Sequence, residues 1–239
     1  VTGSTNLDAR AWADSGAPEG ALIVADQQTD GRGRAGRVWE SAPGKALLFS
    51  LILRPRLGAP ELGLLTSAAG VAVAEGLEQA AGLSCRLKWP NDVLVGSRKI
   101  AGILVESVVQ GGETSAAIVG VGVNTHWEKH ELPDELAERA TSIAIECVEG
   151  PPLREEVLAA VLHRLEVTYD LLYGDPHEVV ARATRRSSVL NRRINLKLPG
   201  GDAEEVTAVG LAHDGALIVE GPGGRREVYS GEVERVLPV

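Results

Sequence analysis

Apolar residues recur along the chain at two periods, and the places where the period changes mark its elements. Ser4-Thr5-Asn6 precede Leu7, Ala11 and Ala13, and Thr5 with Asp8 has the spacing of a capping box. A helix is therefore predicted to open here and to stop at Gly16 and Pro18. Ala21 to Ala25 reads as a short buried strand running into a polar stretch rich in glycine and arginine, Gln27 to Arg37. Ala46 to Leu53 reads as a second apolar strand, closed by Arg54 and Pro55. Leu62, Leu65, Ala69, Val73 and Leu77 stand at helical spacing and predict a long helix over Pro60 to Ala81.

Next come the apolar runs Arg86 to Trp89, Val93 to Val95, Lys99 to Val109 and Ala116 to Val123. Their connectors, Pro90-Asn91-Asp92, Gly96-Ser97 and Gln110-Gly111-Gly112-Glu113, are of hairpin size, so this part is predicted to be an antiparallel meander. Glu155 to Leu172 and His177 to Ser187 read as two helices that close a first domain. From Val189 the texture changes to short strands: Arg193 to Leu198, Glu205 to Ala212, Ala216 to Glu220, Arg226 to Tyr229 and Val233 to Leu237. Turn signals at Pro199-Gly200-Gly201-Asp202, Asp214-Gly215 and Gly221-Pro222-Gly223-Gly224 separate them. The expected fold is α+β: a mixed, largely antiparallel sheet flanked by helices over residues 1–187, then a small SH3-like β-barrel over 188–239.

Composition narrows the function classes. With 44% hydrophobic and 24% charged residues in 239, the chain can bury a core and is not a disordered polypeptide. Lysine plus arginine (24) against aspartate plus glutamate (33) leaves a net charge of −9, which argues against nonspecific nucleic-acid binding. Cys85 and Cys147 lie far apart with no CxxC spacing, so a reducing cytoplasm is expected rather than a disulfide scaffold. No run approaches the roughly 18 apolar residues of a membrane span. There is no methionine, even at position 1, so the natural start is expected to precede Val1.

Two constellations could carry chemistry. Gly31-Arg32-Gly33-Arg34-Ala35-Gly36 matches GxGxxG, but Arg37-Val38-Trp39 and Ser41-Ala42-Pro43-Gly44 follow it, not the helix and acidic residue that a dinucleotide fold requires. The stretch does offer the guanidinium groups of Arg32, Arg34 and Arg37 among glycines directly after a strand, which suits capture of an anion; a solvated surface loop is the plainer reading. The second constellation is Lys88-Trp89-Pro90-Asn91-Asp92, Lys99 to Glu106, and Gly120-Val121-Gly122-Val123-Asn124. Strand alternation would put Lys99 and Ile103 on one side, with Gly102 letting a ligand approach the backbone; alternatively Lys99 is an exposed lysine and Gly120 and Gly122 mark bulges. His126 and His130 are spaced i, i+4 around Glu128 with no third ligand evident, so a surface pair is expected.

Together these motifs resemble the biotin protein ligases in order and spacing: Ser4-Thr5-Asn6, Gln28 with Gly31 to Trp39, Lys88 to Asp92, Lys99 to Glu106, Gly120 to Asn124, and the stretch from Val189. The resemblance implies a catalytic domain like that of class II aminoacyl-tRNA synthetases and a short form without an N-terminal DNA-binding domain. It implies activation of biotin by ATP and Mg²⁺ to biotinyl-5′-adenylate, then transfer to a lysine of a biotin carboxyl carrier domain, as a biotin-[acetyl-CoA-carboxylase] ligase. By the same resemblance Ser4, Thr5, Asn6, Gln28, Arg32, Gly33, Arg34, Lys99 and Gly102 hold biotin. Arg34, Arg37, Trp39, Asn91, Lys99 and Asn124 bind the nucleotide, and Asp92 is the metal candidate. Lys99, Arg34 and Arg32 supply the catalytic charge.

For Trp39, core packing is the plainer role, and for Asn91 and Asp92 the capping of a tight turn. Ala35 departs from relatives that carry a further basic residue there. Lipoate ligase or octanoyltransferase-like acyl transfer, and a module that retains biotinyl-adenylate without transfer, are the alternative functions. A homodimer through a sheet edge is a further expectation, as is the lack of nucleic-acid and membrane partners.

Overall fold

The computed structural model describes residues 1–56, 62–110 and 113–237. Helix α1 (Thr5–Asp14) is followed by β1 (Leu22–Ala25), β2 (Ala46–Leu53), α2 (Leu62–Ala81), β3 (Cys85–Lys88), β4 (Asp92–Val95), β5 (Arg98–Gln110) and β6 (Glu113–Asn124). A single-turn helix α3 (Ile143–Glu146), then α4 (Arg154–Gly174) and α5 (Pro176–Arg186), complete this part. The expected starts at Pro60 and Glu61 and the Gly111-Gly112 connector lie outside the described residues. The strands form one six-stranded sheet in the order β1-β2-β6-β5-β4-β3, antiparallel throughout rather than mixed.

The two faces of the sheet meet different neighbours because alternate residues point to opposite sides. Leu47, Phe49 and Leu53 of β2 and Ala117, Val119, Val121 and Val123 of β6 join α2, α4 and α5 in the main core. The other face is covered over part of its width only: Ile52, Ala116 and Ile118 pack on Ala9 and Ala13 of α1. Beyond α1, β6 continues on that face as Gly120, Gly122 and Asn124, which border an open cavity.

Two local expectations are corrected. Helix α1 does start at Thr5, but the Thr5–Asp8 capping box does not form: Ser4 takes the N-cap position and Thr5 is buried. Its hydroxyl turns inward to Gln28, while Asp8 accepts from the Thr2 hydroxyl. The Ala21 to Ala25 strand is only partly buried; as β1 it is the edge of the sheet, with Ala25 buried and Val24 50% exposed.

Strands β7 (Arg192–Lys197), β8 (Ala203–Leu211), β9 (Leu217–Gly221), β10 (Gly224–Val228) and β11 (Glu232–Val236) form a second antiparallel sheet in the order β10-β9-β8-β7-β11. Its core of Val189, Ile194, Leu196, Val206, Leu217, Val219 and Val233 also takes in Trp89, from the turn between β3 and β4. The Trp89 indole N–H donates to the Gly215 carbonyl at 3.3 Å, so that turn is packed into the small sheet.

Candidate active site

A cavity of about 990 Å³ opens between the uncovered face of the large sheet, the glycine–arginine loop and one end of the small sheet. Every residue singled out from the sequence as a binding or catalytic candidate borders it. So do Glu232, Glu234, Arg235 and Val236 of β11 and Arg192 of β7, so the small sheet forms part of the wall.

The first turn of α1 makes a polar wall. The Thr5 backbone N–H donates to Gln28 Oε1 at 2.7 Å and the Thr5 hydroxyl at 3.0 Å. With Oε1 held by a backbone donor, the amide orientation of Gln28 is set and Nε2 remains as a donor. Ser4, 2% exposed, makes no side-chain capping bond of its own. Asn6 differs from the other two: Oδ1 accepts from Ser50 at 2.6 Å, and Nδ2 donates to Glu106 Oε2 at 2.6 Å. Its carboxamide lies on Gly120, where a Cβ would come within 2.0 Å of Asn6 Oδ1. Asn6 thus holds the helix to the sheet rather than presenting free polar atoms to a ligand.

The loop folds back as a narrow hairpin. Gly33 N–H donates to the Arg37 carbonyl at 2.7 Å and Trp39 N–H to the Gly31 carbonyl at 2.9 Å, with a turn of 3-10 helix over Arg34–Gly36 at the tip. Gly31 is required by close approach rather than by flexibility, since a Cβ would lie 2.4 Å from the Trp39 carbonyl oxygen. Ala35 sits in the left-handed region at φ 55°, which costs an L-residue about 1–2 kcal/mol. The three arginines have different surroundings: Arg37 pairs with Glu232 at 2.5 Å and Arg32 lies 3.5 Å from Asp30. Arg34 makes no ion pair among the described residues; burial and then Arg37 press its pKa down. A guanidinium stays charged even so, leaving Arg34 as a cation on the cavity wall that Asp92 and Glu232 influence only from beyond ion-pair distance.

The indole of Trp39 lies on the glycine floor. A Cβ on Gly122 would be 2.6 Å from its Cε2, and one on Gly102 would be 2.9 Å from its Cζ3. The backbone approach expected for a ligand at Gly102 is thus taken by this ring. Its buried N–H meets no acceptor among the described residues, so a ligand using the glycine floor must displace the indole.

Lys99 reaches the cavity by a device that strand alternation does not foresee. Opposite β4, Leu94 pairs with Lys99 and Val93 with Ala101, leaving Ile100 as the extra residue of a β-bulge. Ile100 and Ala101 both enter the main core, so Lys99 does not share the side of Ile103 but joins Gly102 on the cavity side. The segment after β6 holds the bulge in place: Lys99 N–H donates to the Arg139 carbonyl at 2.8 Å, and Thr141 N–H donates to the Lys99 carbonyl at 2.9 Å. The Lys99 ammonium lies 2.6 Å from Asp92 Oδ1 and 5.3 Å from the Trp39 ring centroid, within cation–π range.

Asn91 and Asn124 are partly committed. Asn91 Nδ2 donates to the Ile103 carbonyl at 2.8 Å, and Asn124 Nδ2 to the Thr141 carbonyl at 3.0 Å. Each keeps its carboxamide oxygen and one N–H. Lys88 is a further cation of the Lys88 to Asp92 motif. It is half-buried on the cavity wall, and burial lowers its pKa against the opposing pull of Asp92 and Glu232. Its place next to Trp89, which the small sheet holds, is what directs it there. His130 pairs with exposed Glu128, and among the described residues no three His, Cys, Asp or Glu side chains gather as a metal cage.

Residues 1–124 match the Biotin/lipoate A/B protein ligase family, and residues 189–236 match the Biotin protein ligase C terminal domain. The chain is 34% identical to the Bifunctional ligase/repressor BirA of Bacillus subtilis over 98% of its own length and 72% of that protein. It is equally 34% identical to the Biotin--[acetyl-CoA-carboxylase] ligase of Mycobacterium tuberculosis, over 96% of this chain and 84% of that one. Among solved structures, the biotin protein ligase from Aquifex aeolicus in complex with biotin and ATP superposes with a TM-score of 0.82 at 31% identity, over 98% of this chain and 96% of that one.

Proposed function

The chain belongs to the biotin/lipoate A/B protein ligase family, and on that premise we propose that it is a biotin-[acetyl-CoA-carboxylase] ligase. A carboxylate oxygen of biotin attacks the α-phosphorus of ATP, pyrophosphate leaves, and biotinyl-5′-adenylate forms. The neutral amine of a carrier-domain lysine then attacks the acyl carbonyl, AMP leaves with the bonding electrons, and the nitrogen gives up a proton to solvent as the amide forms. The observation that carries this reading is that one cavity joins the hydrogen-bonding wall of Ser4, Thr5 and Gln28 to the cations Arg34, Lys88 and Lys99.

The ureido group of biotin needs donors and acceptors in a mostly apolar setting, and the Gln28 Nε2 donor and the Ser4 hydroxyl suit it. The first step brings a carboxylate to a triphosphate; two unit charges 4 Å apart repel by about 1 kcal/mol in water and about 4 kcal/mol at an effective dielectric near 20. Arg34 and Lys99 would offset that repulsion, and such placed charge is the larger part of catalysis in phosphoryl chemistry of this kind. Arg32 and Arg37 would exchange their carboxylate partners for substrate anions, and Asn124 would read the adenine edge with its remaining donor and acceptor.

Mg²⁺ would arrive with the nucleotide. Asp92 already pairs with Lys99 and, among the described residues, belongs to no group of three potential metal ligands, which suits an ion held chiefly by phosphate oxygens and water. Residues 1–187 would then be the catalytic domain, and 188–239 a smaller one that completes the wall. No helix among the described residues is long and apolar enough to cross a membrane, and a cytoplasmic site of action is part of the proposal. Pyrophosphate release with biotin but not with lipoate, followed by labelled transfer to a carrier domain, is the expected result. Release with lipoate alone would favour the acyl-transfer alternative, and release without transfer the retaining module.

A further inference from the structure

Behind the polar wall, outside the cavity lining, lies Ser50. It sits mid-way along β2, is fully buried, and pairs across the sheet with Gly120. Its hydroxyl contacts Thr5 Oγ1 at 2.8 Å and Asn6 Oδ1 at 2.6 Å. Gly120 leaves the space that the Asn6 carboxamide fills, so the pair Ser50–Gly120 forms a socket for Asn6.

Proton accounting gives Ser50 its weight. The oxygens of Gln28 Oε1, Thr5 Oγ1, Ser50 Oγ and Asn6 Oδ1 make three successive contacts of 3.0, 2.8 and 2.6 Å. Neither carboxamide oxygen can donate, so the protons within the row come from the Thr5 and Ser50 hydroxyls, while the Thr5 backbone N–H serves Gln28 Oε1 from outside it. Thr5 donates to Gln28, and of the two hydroxyls only that of Ser50 reaches Asn6 Oδ1, at the shorter of its two contacts, so Ser50 is the donor there. On its other side Asn6 is held by Glu106, through Nδ2 at 2.6 Å.

We propose that Ser50, with Glu106 on the far side of Asn6, is a positioning residue for biotin: it touches no substrate but fixes the Ser4-Thr5-Asn6 turn against which the ureido group is read. The inference rests on the functional reading above and adds the residue that sets the register of its recognition wall. Because Lys99, Asp92 and Arg34 make no contact with this row, the effect falls on biotin and leaves the nucleotide untouched.

The test is pyrophosphate-release kinetics of the full chain with biotin and ATP varied separately, for wild type, Ser50→Ala, Ser50→Thr and Glu106→Ala. Loss of one buried hydrogen-bond donor on a positioning group predicts a rise of about tenfold in the biotin KM for Ser50→Ala, with the ATP KM and kcat within about twofold. Ser50→Thr, which keeps the hydroxyl, should return the biotin KM to within about threefold of wild type. Glu106→Ala, at a half-exposed position that folding tolerates more readily, should raise the biotin KM alone by about threefold. An unchanged biotin KM in both alanine variants, or an equal rise in both substrates, overturns the inference while wild-type activity leaves the functional reading standing. A wild-type chain that releases no pyrophosphate with biotin overturns both.

Discussion

The ring of Trp39 rests on Gly122 so closely that a single Cβ at residue 122 would lie 2.6 Å from Cε2 of the indole. The glycine is thus required by the side chain that occupies the floor of the cavity. Gly122→Ala should push the indole off the sheet, an overpacking cost of about 1–3 kcal/mol. Catalytic efficiency of pyrophosphate release should fall at least about tenfold, with far-UV circular dichroism unchanged and tryptophan emission shifted to the red. Wild-type emission should shift when biotin is added, since the ring must leave the floor. Emission insensitive to both the substitution and the ligand would contradict this placement.

Lys99 owes its place to the bulge at Ile100 and its charge is balanced by Asp92. Lys99→Met keeps much of the side-chain volume and removes the cation. The adenylation rate should drop by about 10²–10³, the magnitude typical of removing one preorganised charge-stabilising donor. Biotin affinity, measured by titration calorimetry, should change by less than about tenfold. A loss of biotin affinity with the adenylation rate at saturation unchanged would mean that Lys99 serves binding alone.

Arg37 and Glu232 join the loop to the small sheet through a pair that is exposed on the arginine side. Such a pair contributes only about 0–1 kcal/mol to stability, so Glu232→Gln should leave the melting temperature almost unchanged. It should nevertheless speed hydrogen exchange in the loop around Arg37 in the empty protein, because the remaining guanidinium groups repel one another. Addition of biotin and ATP should restore protection, as anions replace the carboxylate. Equal exchange in the variant and the wild type would show that the pair does not hold the loop.

Burial raises the Cys85 thiol to about 12, with Glu78 adding to the shift and Arg186 opposing it. The thiolate is the reactive form, so Cys85 should resist alkylation at pH 8 until the chain unfolds, while half-buried Cys147 reacts earlier. The sign for stability follows: the unfolded thiol, with a reference value of 9.0, loses its proton first as pH rises. This contribution is therefore complete below about pH 9 and declines between there and about 12. Rapid labelling of both cysteines in the native protein, resolved by peptide mass, would disprove it.

The sequence by itself determined most of the elements and which residues are candidates for the site. The unbroken apolar run Ala46 to Leu53 became β2, buried on both faces, and the period-3.6 run through Leu65, Ala69, Val73 and Leu77 became α2, because local hydrophobic pattern records how much of an element is covered. Every motif residue proposed for the site borders one cavity, since each motif lies at a strand end, a helix start or a turn. Tertiary structure alone decided which way several of them point. The Ile100 bulge that turns Lys99 depends on the register of β5 against β4, and Thr5 gave up its cap because Ser50 and Gln28 lie within reach. Arg37 and Glu232 meet across 195 residues, and Trp89 packs into a core built from the other end of the chain. Hydrophobic period records which face is buried, but a partner's register and a distant counter-charge are set only once the sheets have assembled.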